Sequence, residues 1–91
     1  MTIDELRVEI DRLDDELLRI FNQRADCALK IGEIKNSLGM AVYDPAREKA
    51  IIQRMKSDNT GPLDNDAIVR LFERVIDESR RLERIMTAAG E

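Results

Sequence analysis

One arginine interrupts a helical stripe that is otherwise apolar. Positions 3, 6, 10, 13, 17, 20, 24, 27, 31, 34 and 38 alternate three and four apart. They read Ile3, Leu6, Ile10, Leu13, Leu17, Ile20, Arg24, Cys27, Ile31, Ile34 and Leu38. That spacing is one face of one long helix, and ten of its eleven residues are apolar. A guanidinium keeps its charge, and burying it unpaired costs several kcal/mol. Arg24 therefore calls for negative charge, from a protein carboxylate or from a ligand carboxylate. Lys35 follows eleven residues later, about 16 Å up the axis and only ~20° around it. The two long side chains can reach one small anion lying between them.

Two further groups of polar residues fall at places where a solvated surface is not the obvious reading. Asp44, Arg47 and Glu48 lie in the first turn of a second helix, and Glu48 shares a face with Ile51, Ile52 and Met55. That pattern tilts Glu48 inward. On a third helix Ser79 interrupts the stripe Ile68, Leu71, Phe72, Val75, Ile76, Leu82 and Met86, and Glu83 lies one turn on along the same face. Taken singly, each has a plain structural reading. Lys35 suits a helix C-terminus, Asp44 is an N-cap, Arg47 is solvated, Ser79 back-bonds to its helix and Glu83 pairs with a nearby arginine. Asp14, Asp15, Glu16, Arg12 and Arg19 alternate in sign and read as a wet face.

Composition removes several chemistries. The chain has no histidine and one cysteine among 91 residues. Histidine general bases, Ser-His or Cys-His nucleophile pairs and histidine metal sites are therefore excluded. Cys27 allows no intrachain disulfide and reads as a buried small apolar residue on the stripe. A formal net charge of −4 argues against nucleic-acid binding, so any anion site is a local basic cluster in an acidic protein. With no apolar run near ~20 residues and no signal-peptide core, the expected location is cytoplasmic, in a free chain or a domain cut from one. No membrane, metal or cofactor is expected.

The elements that must hold these residues are helices. Thr2 and Glu5 resemble a capping box for a first helix running to about Leu38, where Gly39 stands at C′. Met40 to Tyr43 form a short connection. Asp44-Pro45 opens the second helix as N-cap and N1. Ser57 to Pro62 reads as a loop. A third helix runs from near Asp64 to about Ala88, and a tail from Thr87 to Glu91 should fray. The sequence predicts one all-α domain over residues 1–91. A first helix of about 36 residues would be roughly 54 Å long. A globular chain of this size has a radius of gyration near only ~12 Å. Two shorter helices cannot cover such a stripe, so the pattern predicts an obligate, intertwined helical homodimer. A first helix broken near its middle and folded back is the alternative, but no Gly or Pro lies between Thr2 and Lys30 and Gly32 alone is a weak break.

Together the polar positions match a family. Arg7 in Leu6-Arg7, Arg24 in Gln23-Arg24, Lys35 in Ile31-Gly32-Glu33-Ile34-Lys35, and Asp44-Pro45-Ala46-Arg47-Glu48 come in order, followed by Leu71-Phe72 and Glu78-Ser79 to Glu83. Over nearly its full length the chain resembles the all-helical (AroQ-type) chorismate mutases. The resemblance implies a Claisen rearrangement of chorismate to prephenate in phenylalanine and tyrosine biosynthesis, with no cofactor. It implies that Arg7 and Arg24 clamp the two substrate carboxylates with Arg47 in support, and that Lys35 donates to the ether oxygen. Asp44 and Glu48 would receive the ring hydroxyl, Ser79 would contact a carboxylate, and Ile31 and Ile76 would form apolar walls.

Geometry adds a constraint. Arg7 and Arg24 are seventeen residues apart on one helix, about 25 Å, so both can touch one small substrate only if they come from different chains. Glu83 aligns with a second ether-oxygen donor, Gln in some members and Glu in others. An ionised carboxylate only accepts hydrogen bonds, so Glu83 must be protonated to help, and activity is expected to rise at mildly acidic pH. Three alternatives stay open. They are an isochorismate-pyruvate lyase on the same scaffold, a regulatory or dimerisation domain fused to another shikimate-pathway enzyme, and a plain helical bundle whose arginines are satisfied by Asp and Glu.

Overall fold

The computed structural model describes residues 1–89. They form three helices, α1 (Ile3–Leu38), α2 (Pro45–Asp58) and α3 (Asn65–Ala89). No strand occurs among the described residues, so the fold is all-α. Their ends are set by the residues expected to set them. Thr2 Oγ1 accepts from Glu5 N at 3.1 Å, the forward half of a capping box. At the other end of α1, Gly39 takes a left-handed φ of 67°. Its N–H bonds Asn36 O and the Met40 N–H bonds Lys35 O, which is a Schellman closure. Asp44 Oδ1 accepts from Arg47 N at 3.0 Å, and Asp64 Oδ1 accepts from Ala67 N at 2.8 Å. α2 continues to Asp58, so Ser57 and Asp58 are helical rather than part of the loop. Asn59 organises what remains, donating to Leu63 O and Asn65 Oδ1 while accepting from Gly61 N. α3 extends through Thr87 to Ala89. The rest of the tail expected to fray, Gly90-Glu91, lies outside the described residues.

The unbroken α1 sets the shape. The molecule extends 54 × 25 × 14 Å, with a radius of gyration of 16.4 Å, as the rod argument requires. α3 is the central element, since α1 and α2 each pack on it. No helix among the described residues is long and apolar enough to cross a membrane. Buried residues are few among those described: Ala28 and Gly32 on α1, Ile51 on α2 and Ile76 on α3. Every residue from Met1 to Gln23 is exposed. The apolar stripe from Ile3 to Ile20 therefore stands uncovered in the single chain, with Leu13 at 43% and Ile10 at 54% exposure.

Two expectations need correction. Cys27 is exposed rather than buried, because α3 packs on a different line of α1. That line is Ala25, Ala28 and Gly32, offset by one residue (about 100°) from Arg24, Cys27 and Ile31. Leu71 is 54% exposed and leaves the α3 core stripe, which Val69 joins in half-buried form. α1 runs unbroken through Gly32, as expected. A Cβ built there would lie 2.9 Å from Glu83 Cα and 3.0 Å from Met86 Cβ, so glycine lets the two backbones approach. Gly32→Val is expected to lower folding stability by about 2 kcal/mol or more through overpacking, read as a reduced urea midpoint. A midpoint equal to wild type would mean that the helices can part at no cost.

Candidate active site

The side chains that could do chemistry are brought together by three different periodicities. On α1, Arg24, Cys27, Ile31 and Lys35 form one stripe at i, i+3, i+7 and i+11. This upper half of the apolar stripe is turned beside the α3 contact rather than into it. On α3, Ile76, Ser79 and Glu83 share a face. On α2 the first turn supplies Asp44, Arg47 and Glu48, with Ile51 beneath them. Together with Ala28 and the Val42 carbonyl segment they line a cavity of about 340 Å³. That is the small end of the ~300–1,000 Å³ typical of small-molecule sites. Nine of the ten residues named as site candidates from the sequence border this cavity. Arg7 does not. It lies about 25 Å from Arg24 along the same helix.

Arg24 is half-buried, and its guanidinium donates to Ser79 Oγ. The Ser79 hydroxyl donates in turn to Val75 O at 3.1 Å, the back-bond expected of a helical serine. Ser79 is thereby fixed as an acceptor toward Arg24. Among the described residues no carboxylate lies within ion-pairing distance of Arg24 or of Arg47. Within the chain, then, no carboxylate among the described residues neutralises Arg24. Arg24 also borders a second, more apolar groove of about 280 Å³ with Phe21, Ala25, Val75 and Leu82. It stands at the wall between the two.

Lys35 and Glu83 close one end of the cavity. Lys35 Nζ donates to Val42 O at 2.9 Å and lies 2.8 Å from Glu83 Oε1, both side chains being only 13% exposed. The ion pair is in contact but poorly aligned for a hydrogen bond, and Glu83 Oε1 has no other partner among the described residues. A buried carboxylate oxygen without an aligned donor is costly, and here it borders an open cavity. Lys35 thus has two tasks: pinning the Met40–Tyr43 connection and presenting an ammonium to the site.

Glu48 is held by a residue that the sequence reading does not single out. Arg80 donates to it twice, Nε to Oε2 at 3.0 Å and Nη2 to Oε1 at 2.6 Å. Arg80 also lies 3.4 Å from Asp77, and its Cζ sits 5.5 Å from the centroid of the Tyr43 ring. The bond to Glu48 is the main reason its guanidinium is held even more firmly protonated than usual. A signal for Arg80 exists in the sequence, since Ile76, Arg80 and Glu83 fall at i, i+4 and i+7 on one face. The remaining charges of α1 are a surface ladder, with Arg12 bridging Glu9 at 2.5 Å and Glu16 at 2.6 Å.

The arrangement suits a compact dianion: cations at separate points, acceptors between them, apolar walls, and no nucleophile–base pair among the described residues. The family model for chorismate mutase type II matches residues 6–84. The chain belongs to that family. It is 45% identical over 92 residues to the bifunctional chorismate mutase/prephenate dehydratase of Neisseria gonorrhoeae, covering 97% of this chain and 25% of that protein. It is 32% identical over 81 residues to the chorismate mutase of Methanocaldococcus jannaschii, covering 88% of this chain and 82% of that protein. Two solved chorismate mutases have the same fold. The Thermus thermophilus enzyme (form II) superposes with a TM-score of 0.88 at 34% identity, covering 90% of this chain and 93% of that one. The Helicobacter pylori enzyme, solved in complex with prephenate, gives 0.84 at 31% identity, covering 92% and 91%. Against its bifunctional mutase relatives the chain spans about a quarter of their length.

Proposed function

We propose that this chain catalyses the Claisen rearrangement of chorismate to prephenate, by binding the dicarboxylate in its compact reactive shape and stabilising charge on the breaking ether bond. The observation that carries this reading is the half-buried Arg24, which has a hydroxyl partner and, among the described residues, no carboxylate, at the edge of a cavity shared with Lys35 and Arg47. The reaction is unimolecular, so orientation and electrostatics supply the rate. Arg24 takes one substrate carboxylate through its planar fork, and Arg47 and Ser79 support it. Lys35 donates to the ether oxygen as negative charge develops there. Asp44 and Glu48 accept the ring hydroxyl. Ile31 and Ile76 exclude water from the reacting face.

Arg7 belongs to this site in our reading only as a donation from a second chain. The exposed stripe from Ile3 to Ile20 supports that assembly. Each of its apolar side chains is worth about 1.5–3 kcal/mol on full burial, and a partner helix would supply the cover that α2 and α3 do not. Two sites per homodimer follow, each completed by the partner's α1.

The test is a chorismate-loss assay with prephenate detection, run in parallel with an assay for pyruvate release from isochorismate. Saturable prephenate formation with little pyruvate is the expected result. Pyruvate release as the dominant activity would transfer the site to the lyase. Neither product would leave a regulatory or dimerisation role, as a domain of a longer enzyme.

A further inference from the structure

We propose that Arg80 is a positioning residue of the cavity: it fixes the orientation of the Glu48 carboxylate and cancels its charge, which lets that wall accept a dianion bearing a hydroxyl. The inference rests on the mutase reading above. Glu48 and Arg80 come from different helices and are both mostly buried, at 25% and 23% side-chain exposure. Their two-point contact fixes the plane of the carboxylate, which one hydrogen bond would leave free to rotate. Asp77 and the Tyr43 ring hold the guanidinium from behind, so Arg80 is itself constrained. Each carboxylate oxygen has two lone pairs. Arg80 uses one on each and leaves one on each for a ligand hydroxyl.

Charge gives the pair a second task. The cavity lining holds three cations, Arg24, Lys35 and Arg47, and three carboxylates, Asp44, Glu48 and Glu83. Counted within one chain and with every carboxylate ionised, such a lining is formally neutral. Arg80 lies outside the lining and pairs with Glu48, which shifts the balance of the lining toward positive charge even though Asp77 shares the guanidinium. The pair also fastens the first turn of α2 to α3, and through Tyr43 it holds the connection whose Val42 carbonyl receives Lys35. Arg80 therefore acts on substrate through Glu48.

The experiment is a double-mutant cycle in steady-state kinetics with chorismate. Arg80→Ala is expected to raise KM by about tenfold, the scale of one uncompensated charge near the ligand, with kcat changed less than threefold. Arg80→Lys, which keeps the charge but not the fork, should recover part of the loss. In a Glu48→Gln background, Arg80→Ala should move KM less than twofold, because the charge and orientation it controls are gone. A purely structural Arg80 would lower the melting temperature and leave this coupling absent. Should Arg80→Ala fail to fold, Arg80→Met, of similar length, takes its place in the cycle. An unchanged KM in the single variant, or an equal rise in both backgrounds, overturns the inference while leaving the mutase reading intact. A wild type that forms no prephenate overturns the mutase reading. In that case calorimetric titration with prephenate measures the same cycle in Kd, where an unaltered Kd, or no binding by wild type, overturns the role of Arg80 as well.

Discussion

Replacing Arg24 with alanine is expected to lower kcat/KM for chorismate at least ~100-fold, the usual scale for losing one oriented charged contact in a water-poor site. The guanidinium is half-buried and donates only to Ser79 among the described residues. Its charge is left for the ligand, so truncation removes binding and orientation together. Arg24→Lys should recover little, because an ammonium cannot pair side by side with a carboxylate. Turnover within threefold of wild type would remove Arg24 from the site. A mixing experiment tests the second chain at the same time. If Arg7 is donated across a dimer, then Arg7→Ala and Arg24→Ala chains are each inactive alone. After unfolding and refolding together, half of the dimers are mixed, and each mixed dimer has one intact site. Activity should return to roughly a quarter of wild type, as expected from random pairing in a two-fold assembly. No recovery, with mixed dimers demonstrated by a tag, would place Arg7 outside the partner's site.

The helices are legible in the sequence because their signals are local. Thr2, Gly39, Asp44-Pro45 and Asp64 act on backbone groups within a few residues of themselves, and the apolar period of α1 is independent of what covers it. Period alone does not say which partner covers which part. The face of α1 that meets α3 is the small-residue line Ala25, Ala28 and Gly32, whose information lies in what it lacks. Gly32 looks like a weakness in a helix until Glu83 and Met86 are placed within 3.0 Å of where a Cβ would stand. The line Arg24, Cys27, Ile31 and Lys35 is left free by that offset, so the same stripe borders a cavity in its upper half and stands bare in its lower half. Cys27 and Leu71 depart from expectation for this reason, as apolar period marks a face and not its tenant. The Glu48–Arg80 pair is harder still to read. It joins residues 32 apart in sequence, and any of several basic residues on α3 could partner Glu48 until the helices are docked.

Glu83 makes the sharpest demand on the chemistry. Its carboxylate lies 2.8 Å from the Lys35 ammonium, and both groups face the position where the proposed ether oxygen would sit. Once that oxygen takes the Lys35 proton donor, an ionised Glu83 has nothing to give and repels the developing negative charge. A protonated Glu83 becomes a second donor instead. The protonated form is thus the productive one. We expect kcat/KM to be higher at mildly acidic pH than at neutral or alkaline pH. Glu83→Gln keeps the shape and supplies an amide N–H at every pH, so its profile should be flat and its rate above about pH 8 should exceed that of wild type. A wild-type rate that does not change between about pH 5 and 8.5 would show that Glu83 does not donate. Its contact with Lys35 would then serve to orient the ammonium, and Glu83→Gln would lower the rate at all pH values alike.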